Sequence, residues 1–242
     1  MPISELHREV AAIALHAASR HGFALGGGNA LMAHGVIDRY TQDVDLFTDQ
    51  ESGVEAAADA VEATLREAGF EADRQDKTGG LGDIFYGMGQ GLAEWIITAP
   101  DGEQMMLQMA YFDRSRGPVT MDVGPVLDLE DVVGGKVAAL ASRAYERDYI
   151  DTAAALGRYS VGQVIGFARR LDPGLDDRDF ADAGKRLDQL TTRHSPATGS
   201  GTRTSPGCGS GSLPGPGTDR HPDVGTGPPR RPYGGLSRNT TT

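Results

Sequence analysis

Cysteine and long apolar runs are nearly missing from this chain of 242 residues. Its one cysteine, Cys208, cannot form an intrachain disulfide or a thiolate metal site, which is typical of proteins from a reducing cytosol. No run approaches the roughly 18 apolar residues of a membrane-spanning helix. Residues 1–22 carry scattered charges and lack the apolar core of a signal peptide. We therefore expect a soluble, cytoplasmic protein with no membrane partner.

Positive charge is also scarce, because 34 acidic residues outnumber 23 basic ones and give a net charge of −11. The imbalance is local: residues 191–242 hold six arginines and two acids, whereas residues 1–190 carry a net charge of −15. A body this acidic argues against broad nonspecific binding of nucleic acid, which needs a positive footprint. It leaves room for a local basic groove, and it would suit a cationic substrate.

Residues 191–242 lack apolar periodicity and consist mainly of Gly, Pro, Ser and Thr. Such a segment buries too little apolar surface to offset the conformational entropy that is lost on folding. We therefore predict a disordered tail over 191–242 and place the folded part of the chain in residues 1–190.

The periodicity of this folded part changes near residue 125. Before that point, short apolar segments alternate with two amphipathic helices, over 4–21 and 51–68. Strands are predicted near 23–26, 42–48, 70–75, 82–88, 92–99 and 104–112, with a short helical segment at 28–35. After residue 125 the period is helical, with a break near Tyr145. The pattern predicts an α+β fold, with a mixed sheet and helices over 1–125 and a helical subdomain over 126–190.

The segment ALGGGNALMAHGVIDRYTQDVDLF, residues 24–47, combines a glycine turn with two aspartates. On a strand over 42–48, alternation places Asp43 and Asp45 on the same face, where a cation would relieve the repulsion between their carboxylates. Mg²⁺ prefers carboxylate and phosphate oxygens, and a glycine turn that opens a helix exposes backbone N–H groups to phosphates. Each element alone is common in turns and surface loops. Together they indicate a site for metal-assisted phosphoryl transfer.

This arrangement resembles the nucleotidyltransferase (DNA polymerase β-like) superfamily, whose signature is a Gly-Gly or Gly-Ser turn followed by Asp-x-Asp. More narrowly, the chain is similar to the AbiEii-type nucleotidyltransferase toxins over roughly residues 5–190. The first half of the match comprises Gly27, Gly28, Ala30, Leu31, Arg39, Thr41, Asp43, Asp45 and Leu46. The second half, in GGKVAALASRAYERDYIDTAAAL, comprises Lys136, Ala139, Leu140, Arg143, Arg147, Asp148 and Asp151. The resemblance implies a nucleotidyltransferase-like sheet, with the helical subdomain completing the active site.

The resemblance also implies roles for the matching residues. Metal binding falls to Asp43 and Asp45, with Mg²⁺ as the cofactor and Mn²⁺ as an alternative. The implied catalytic residues are Asp43, Asp45, Lys136 and Asp151. The implied nucleotide-binding residues are Gly27, Gly28, Asn29, Arg39 and Asp148. Of these, Arg39 and Lys136 would neutralise the triphosphate, and Asp151 with Asp148 would orient or activate the acceptor.

The residues themselves leave alternatives to those roles. Lys136 lies beside the apolar face of a helix and could be an ordinary solvated lysine. Asp148 and Asp151 are three residues apart, so they share a helix face, where they could pair with Arg143 or Arg147.

One position departs from the superfamily pattern, in which many members carry a third metal carboxylate on a later strand. In this chain the corresponding strand, over 104–112, presents Gln108 instead. Asp113, just past the strand, and Glu94, on the preceding strand, are the weaker candidates for that third acid.

The implied activity is the transfer of NMP from an NTP to an acceptor hydroxyl, with release of pyrophosphate. The implied acceptor is the tRNA 3′ end or another cellular macromolecule, and a toxin of this type implies a separately encoded antitoxin. Two alternatives stay open. Antibiotic nucleotidyltransferases carry similar elements, and the acidic body suits a cationic aminoglycoside. A degenerate, non-catalytic nucleotide-binding protein would keep the same fold.

Overall fold

The structure, a computed structural model, describes residues 3–75 and 91–194, which form seven strands and seven α-helices. The strands are β1 (Ala24–Leu25), β2 (Asp43–Thr48), β3 (Glu71–Arg74), β4 (Leu92–Thr98), β5 (Gln104–Tyr111), β6 (Val119–Met121) and β7 (Gly124–Val126). The helices are α1 (Glu5–Ala17), α2 (Gly27–Ala33), α3 (Gly53–Glu67), α4 (Leu129–Ser142), α5 (Glu146–Ala155), α6 (Val161–Leu171) and α7 (Asp177–His194).

The chain divides into two units, Met1–Gln189 and Leu190–Thr242. The first unit contains every described strand and the helices α1 to α6. Of the second unit, only the last residues of α7 are described. The division of the first unit at residue 125 stays a prediction, and the predicted disordered tail lies almost entirely outside the described residues.

Strand β2 lies at the centre of the sheet, whose strand order is β3-β4-β5-β2-β1-β7-β6. It pairs in parallel with β5 and antiparallel with β1. The register sets Asp43 opposite Met106 and Asp45 opposite Gln108. Because residues that are paired across strands project to the same face, Met106 and Gln108 share the face of the two aspartates.

The two faces of β2 have different surroundings. Val44, Leu46 and Thr48 are fully buried, whereas the alternating residues are only half-buried, so burial along the strand has period two. Helix α1 contacts β2, and α3 contacts β4 and β5. Burying each large aliphatic side chain in such a core contributes about 1.5–3 kcal/mol, which fixes the register of β2 and therefore the face of the acids.

Helix α4 connects the sheet to the C-terminal helices, because it contacts α2, α5 and α6. Its N-terminus is capped by the Asp128 carboxylate, which accepts a hydrogen bond from the Glu130 backbone N–H at 2.9 Å. At Gly134 the helix lies so close to α6 that a Cβ atom would come within 2.9 Å of the Phe167 backbone. The contact of α4 with α2 places α4 beside the glycine turn that opens α2.

Most predicted elements are confirmed, including the helices near residues 4–21 and 51–68 and the break near Tyr145, which separates α4 from α5. The predicted strand over 82–88 lies outside the described residues. The β6–β7 hairpin was not predicted, since each strand has three residues and Pro125 interrupts the second. Pairing with β1 stabilises it, with Leu25 opposite Val126. Helix α7 extends to His194, past the predicted boundary at 190. No described helix has the length and apolar character needed to cross a bilayer.

Candidate active site

The two aspartates of β2 form the centre of the candidate site. Burial alternates along β2 and leaves Asp43 and Asp45 half-buried on one face, as the sequence predicted. Neither aspartate lies in the hydrophobic core, whereas their neighbours Val44 and Leu46 are fully buried in it. Two carboxylates therefore project side by side from the half-buried face of the central strand, and that of Asp45 is covered by the glycine turn.

The glycine turn touches the second of these acids. Gly27 has a φ of +59°, a left-handed conformation that residues with a Cβ atom rarely adopt. A Cβ atom on Gly27 would lie 1.8 Å from Asp45 Oδ2, so the close approach requires glycine here. The Gly26 N–H donates to the Asp45 carbonyl at 2.8 Å, which fixes the turn against β2. The predicted proximity of turn and acid is therefore present.

Asn29 holds the start of α2 against the strand. Its side chain is buried, and Nδ2 donates to the Asp43 carbonyl at 2.8 Å. Its Oδ1 accepts from the Thr41 hydroxyl at 2.9 Å. Both polar groups of the side chain are thus engaged inside the protein. A nucleotide-binding role for Asn29 remains a prediction, and the structure places the residue where it positions the backbone around Asp43. Gly28, also predicted to bind nucleotide, would meet Thr41 if it carried a Cβ atom.

Two predicted cations converge on one buried acid. Asp151 of α5 is fully buried, and Arg39 donates to both of its oxygens, from Nε at 2.9 Å and from Nη2 at 2.8 Å. Lys136 Nζ of α4 lies 2.9 Å from Asp151 Oδ2. Charge-assisted bonds of this kind hold long side chains in one orientation. Asp151 therefore fixes the loop before β2 to two helices of the C-terminal half.

The other predicted aspartate, Asp148, is also fully buried and pairs with Arg143, whose Nε lies 3.0 Å from Asp148 Oδ2. Pairing of these acids with arginine was one alternative that the sequence left open. The next residue of α5 toward the N-terminus, Arg147, places Nη1 3.4 Å from Asp43 Oδ2. Arg147 belongs to the Arg-Asp-x-x-Asp motif, but the resemblance implied no role for it. This motif could have indicated a role for Arg147. Neighbouring residues of a helix point in different directions, so Asp148 pairs with Arg143 while Arg147 lies near Asp43.

The electrostatics of the site follow from this arrangement. Burial raises the pKa of Asp45, and the adjacent carboxylate of Asp43 raises this pKa further. Three cations act in the opposite direction and lower the pKa, namely Lys136, Arg147 and Arg143. Burial has the largest effect of all, so the carboxylate of Asp45 is disfavoured in its charged form and would gain from a nearby cation.

No group of three or more His, Cys, Asp or Glu side chains within residues 3–75 and 91–194 is arranged to hold a metal ion. At the position of the missing third acid, Gln108 stands opposite Asp45 and donates to Glu94 Oε1 at 2.5 Å. Asp113 is exposed beyond the end of β5. The candidate metal ligands are therefore the two carboxylates of β2.

The solved structures that this chain resembles include three proteins. JHP933 from Helicobacter pylori is 14% identical, with 80% of this chain and 100% of that chain covered, at a TM-score of 0.46. MenT4, a nucleotidyltransferase toxin from Mycobacterium tuberculosis, is 17% identical over 66% of this chain and 61% of that chain, at a TM-score of 0.45. The antibiotic-resistance factor ANT(2″)-Ia is 12% identical over 78% and 98%, at a TM-score of 0.38. Similarities at this level assign no role to any residue.

The family of the chain follows from its sequence. No curated protein matches the chain. Residues 10–164, which run from α1 into α6 and include every candidate site residue, match the profile described as nucleotidyl transferase AbiEii toxin, type IV toxin–antitoxin system. The chain therefore belongs to the AbiEii family of nucleotidyltransferase toxins.

Proposed function

We propose that this nucleotidyltransferase is Mg²⁺-dependent and transfers NMP from an NTP to a hydroxyl of a cellular RNA, with the tRNA 3′ end as the favoured acceptor. The observation that carries the proposal is the contact of the Gly27 turn with the Asp45 carboxylate. It places a turn without side chains beside a pair of acids, which is what a triphosphate bound next to a metal requires.

The residues present fit a divalent cation. Asp43 and Asp45 offer carboxylate oxygens on one face, and burial raises the pKa of Asp45 although three cations lie near enough to lower it. Mg²⁺ is usually bound by one or two carboxylates together with substrate phosphates, so two protein ligands are sufficient. When bound, Mg²⁺ or Mn²⁺ would polarise the α-phosphate and offset the charge of the departing pyrophosphate.

The basic residues would bind the triphosphate. Lys136 and Arg39 keep their orientation through Asp151. Asp45 and Thr41 pack against Gly27 and Gly28, and the backbone N–H groups of this helix N-terminus would bind the phosphate oxygens. In the reaction, the acceptor oxygen bonds to the α-phosphorus while the bond from that phosphorus to the bridging oxygen breaks. The hydroxyl proton leaves to solvent, and pyrophosphate departs. Preorganised cations are effective here because they do not have to reorient as charge develops.

In this proposal Asp151 and Asp148 are positioning residues. Both are fully buried and bonded to arginine or lysine, which leaves no oxygen of Asp151 without a cation. Asp151 aligns Lys136 and Arg39, and Asp148 aligns Arg143. The role of general base, which the family resemblance allowed for Asp151, would require this cluster to open.

The test uses the purified full-length protein with each of the four radiolabelled NTPs, with Mg²⁺ or with EDTA. Total tRNA and a panel of aminoglycosides serve as acceptors. We expect label on tRNA only with Mg²⁺, and none with Asp45→Ala. Glu71→Gln, which removes an exposed carboxylate on β3, is the matched control and should keep full activity.

Other outcomes would replace the proposal. Label on a drug and none on tRNA would assign the chain to antibiotic modification. NTP binding without release of pyrophosphate on any acceptor would identify a degenerate binding protein. In cells, we expect expression of the wild type to arrest growth and expression of Asp45→Ala to permit it. Equal growth of the two strains would contradict a toxin function.

A further inference from the structure

An open groove of about 350 Å³ borders Asp43. Its lining includes Tyr40, Gln42, Asp43, Ile96, Gln104 and Met106. Only Asp43 among these has a part in the phosphate chemistry proposed above. The groove therefore adjoins the reacting centre and is otherwise unassigned.

The position of the groove relates it to the acceptor rather than to the triphosphate. The glycine turn follows β1, whereas Ile96 and Met106 lie on β4 and β5, so the turn and the groove flank β2 on opposite sides. In phosphoryl transfer, the attacking and leaving oxygens lie roughly in line on opposite sides of the phosphorus. With the triphosphate at the glycine turn, the groove lies across β2 from the turn, on a side that is open to an acceptor hydroxyl.

Tyr40 gives the groove an exposed aromatic ring with a fixed orientation. The residue is 56% exposed, yet its ring makes an edge-to-face contact with buried His7 at a centroid distance of 5.9 Å and an interplanar angle of 82°. Its carbonyl accepts a hydrogen bond from Arg39 Nη1 at 3.1 Å. A ring held in this way loses little conformational entropy on binding, and it can serve as a stacking surface for a planar group.

The rest of the lining is almost uncharged. Gln42 and Gln104 carry amides, and Met106 presents a partly exposed thioether. Gln104 Nε2 donates to Thr98 Oγ1 at 3.1 Å, which orients its amide. Asp43 is the one acid among the described lining residues, and it already lies near Arg147. A polycationic amino sugar would need more carboxylates than this, whereas a nucleobase offers a flat face and an edge of donors and acceptors that amides can bind.

We propose that this groove holds the terminal nucleobase of a single-stranded RNA acceptor, stacked on Tyr40 with Met106 beside it, so that the terminal ribose hydroxyl reaches the α-phosphate next to Asp43. The inference rests on the proposed function and adds the part of the acceptor that the enzyme recognises. Tyr40 is then a specificity-determining residue, because it distinguishes acceptors that end in a planar heterocycle from those that do not.

The experiment compares two short RNAs that carry a 5′ fluorescent label and a free 3′ end. They are identical except that the terminal residue of the second is an abasic ribose, which keeps its hydroxyls and phosphate. Binding to the full-length protein is measured by fluorescence anisotropy without NTP. Stacking on an aromatic side chain is commonly worth about a tenfold change in affinity or more, so we expect the wild type to bind the first RNA about tenfold more tightly.

The variants assign this preference to Tyr40. Tyr40→Ala should bind the two RNAs equally, and Tyr40→Phe, which keeps the ring, should retain the preference. Tyr111→Ala removes another exposed tyrosine of the same sheet, outside the groove lining, and should behave as the wild type. In turnover, Tyr40→Ala should raise KM for the RNA and leave KM for the NTP unchanged.

Several results would overturn the inference. One is equal binding of both RNAs by the wild type, and another is an equal loss of affinity for both RNAs in Tyr40→Ala. A third is a rise in KM for the NTP alone in Tyr40→Ala, which would show that the ring contacts the base of the incoming nucleotide. A base preference with no pyrophosphate release by the wild type would instead leave the groove assignment standing and contradict the proposed function. Transfer to aminoglycosides without RNA binding would overturn the groove assignment and keep nucleotidyl transfer.

Discussion

Lys136 Nζ lies 2.9 Å from Asp151 Oδ2, and the carboxylate between this lysine and Arg39 is completely buried. Three charged side chains from the loop before β2, from α4 and from α5 thus form one unit. Its net charge is positive, and it lies in the same site as two acids of β2. The arrangement ties the stability of the C-terminal helices to the cations that the proposed reaction uses.

The replacement Asp151→Asn should strongly destabilise the protein. It would leave two cations of low exposure without their counterion, and removal of one partner from a buried pair typically costs about 3–5 kcal/mol. The free energy of unfolding, measured in urea with linear extrapolation, would show the loss. Asp182→Asn is the matched control, because its pair with Lys185 is exposed and should contribute less than about 1 kcal/mol. The prediction is wrong if the two variants lose equal stability. The double variant Asp151→Asn with Lys136→Met should regain part of the loss.

The replacement Gly27→Ala should act on both stability and activity. The left-handed φ costs a residue with a Cβ atom about 1–2 kcal/mol, and the new methyl group would displace Asp45. A displacement of about 1 Å in a reacting group can reduce turnover about 100-fold, which steady-state kinetics would measure. Gly166→Ala is the control: α6 has open space there, so we expect a gain of about 0.5–1 kcal/mol and unchanged turnover. Comparable activity of the two variants would contradict the close contact.

The raised pKa of Asp45 predicts a pH dependence of stability in the absence of divalent cations. Because the folded state binds this proton more tightly than the unfolded state, the contribution of Asp45 to stability is fully present below the unfolded pKa. It is lost as the pH rises through the higher folded pKa. Asp45→Asn lacks this loss, so at neutral pH it should be more stable than the wild type while having no activity. Urea unfolding at a series of pH values would test this. A constant difference between the two proteins at every pH would contradict it.

Asn29→Ala separates positioning from nucleotide binding. The change leaves the Asp43 carbonyl and the Thr41 hydroxyl without their partners, and a buried unsatisfied group costs about 1–3 kcal/mol. If Asn29 positions Asp43, kcat should fall while KM for the NTP stays the same. Thr41→Val removes one of the two bonds and should have the smaller effect on both stability and kcat. A rise in KM with unchanged kcat would instead support the nucleotide-binding role predicted from the sequence.

The sequence was sufficient for the features that depend on local periodicity. Alternation along β2 placed Asp43 and Asp45 on one face because a strand has period two and one of its faces is apolar. Burial alternates in the same way along β4, where Trp95 is fully buried and donates to Glu62 at 3.0 Å. The break near Tyr145 was predicted as well, and it separates α4 from α5 in the structure.

The pairing of charges could not be predicted in the same way. Three arginines and one lysine matched the family motifs, namely Arg39, Arg143, Arg147 and Lys136, and only tertiary packing decides which acid each one meets. Asp151 binds residues from two other elements, and Arg147 reaches Asp43 from the facing side of α5. The groove beside Asp43 depends on the register between β2 and β5, which sets Met106 opposite Asp43 and which no single segment encodes.

The bond from Arg39 to Asp151 joins residues 112 positions apart. A nascent chain on the ribosome contains Asp43, Asp45 and the glycine turn long before it contains Asp151, the carboxylate that aligns Arg39 and Lys136. Under the proposed function, such a chain has the two candidate metal ligands but lacks the ordered cations that would bind a triphosphate. The ordered form of the candidate site therefore depends on a part of the chain that is synthesised 112 residues after Arg39.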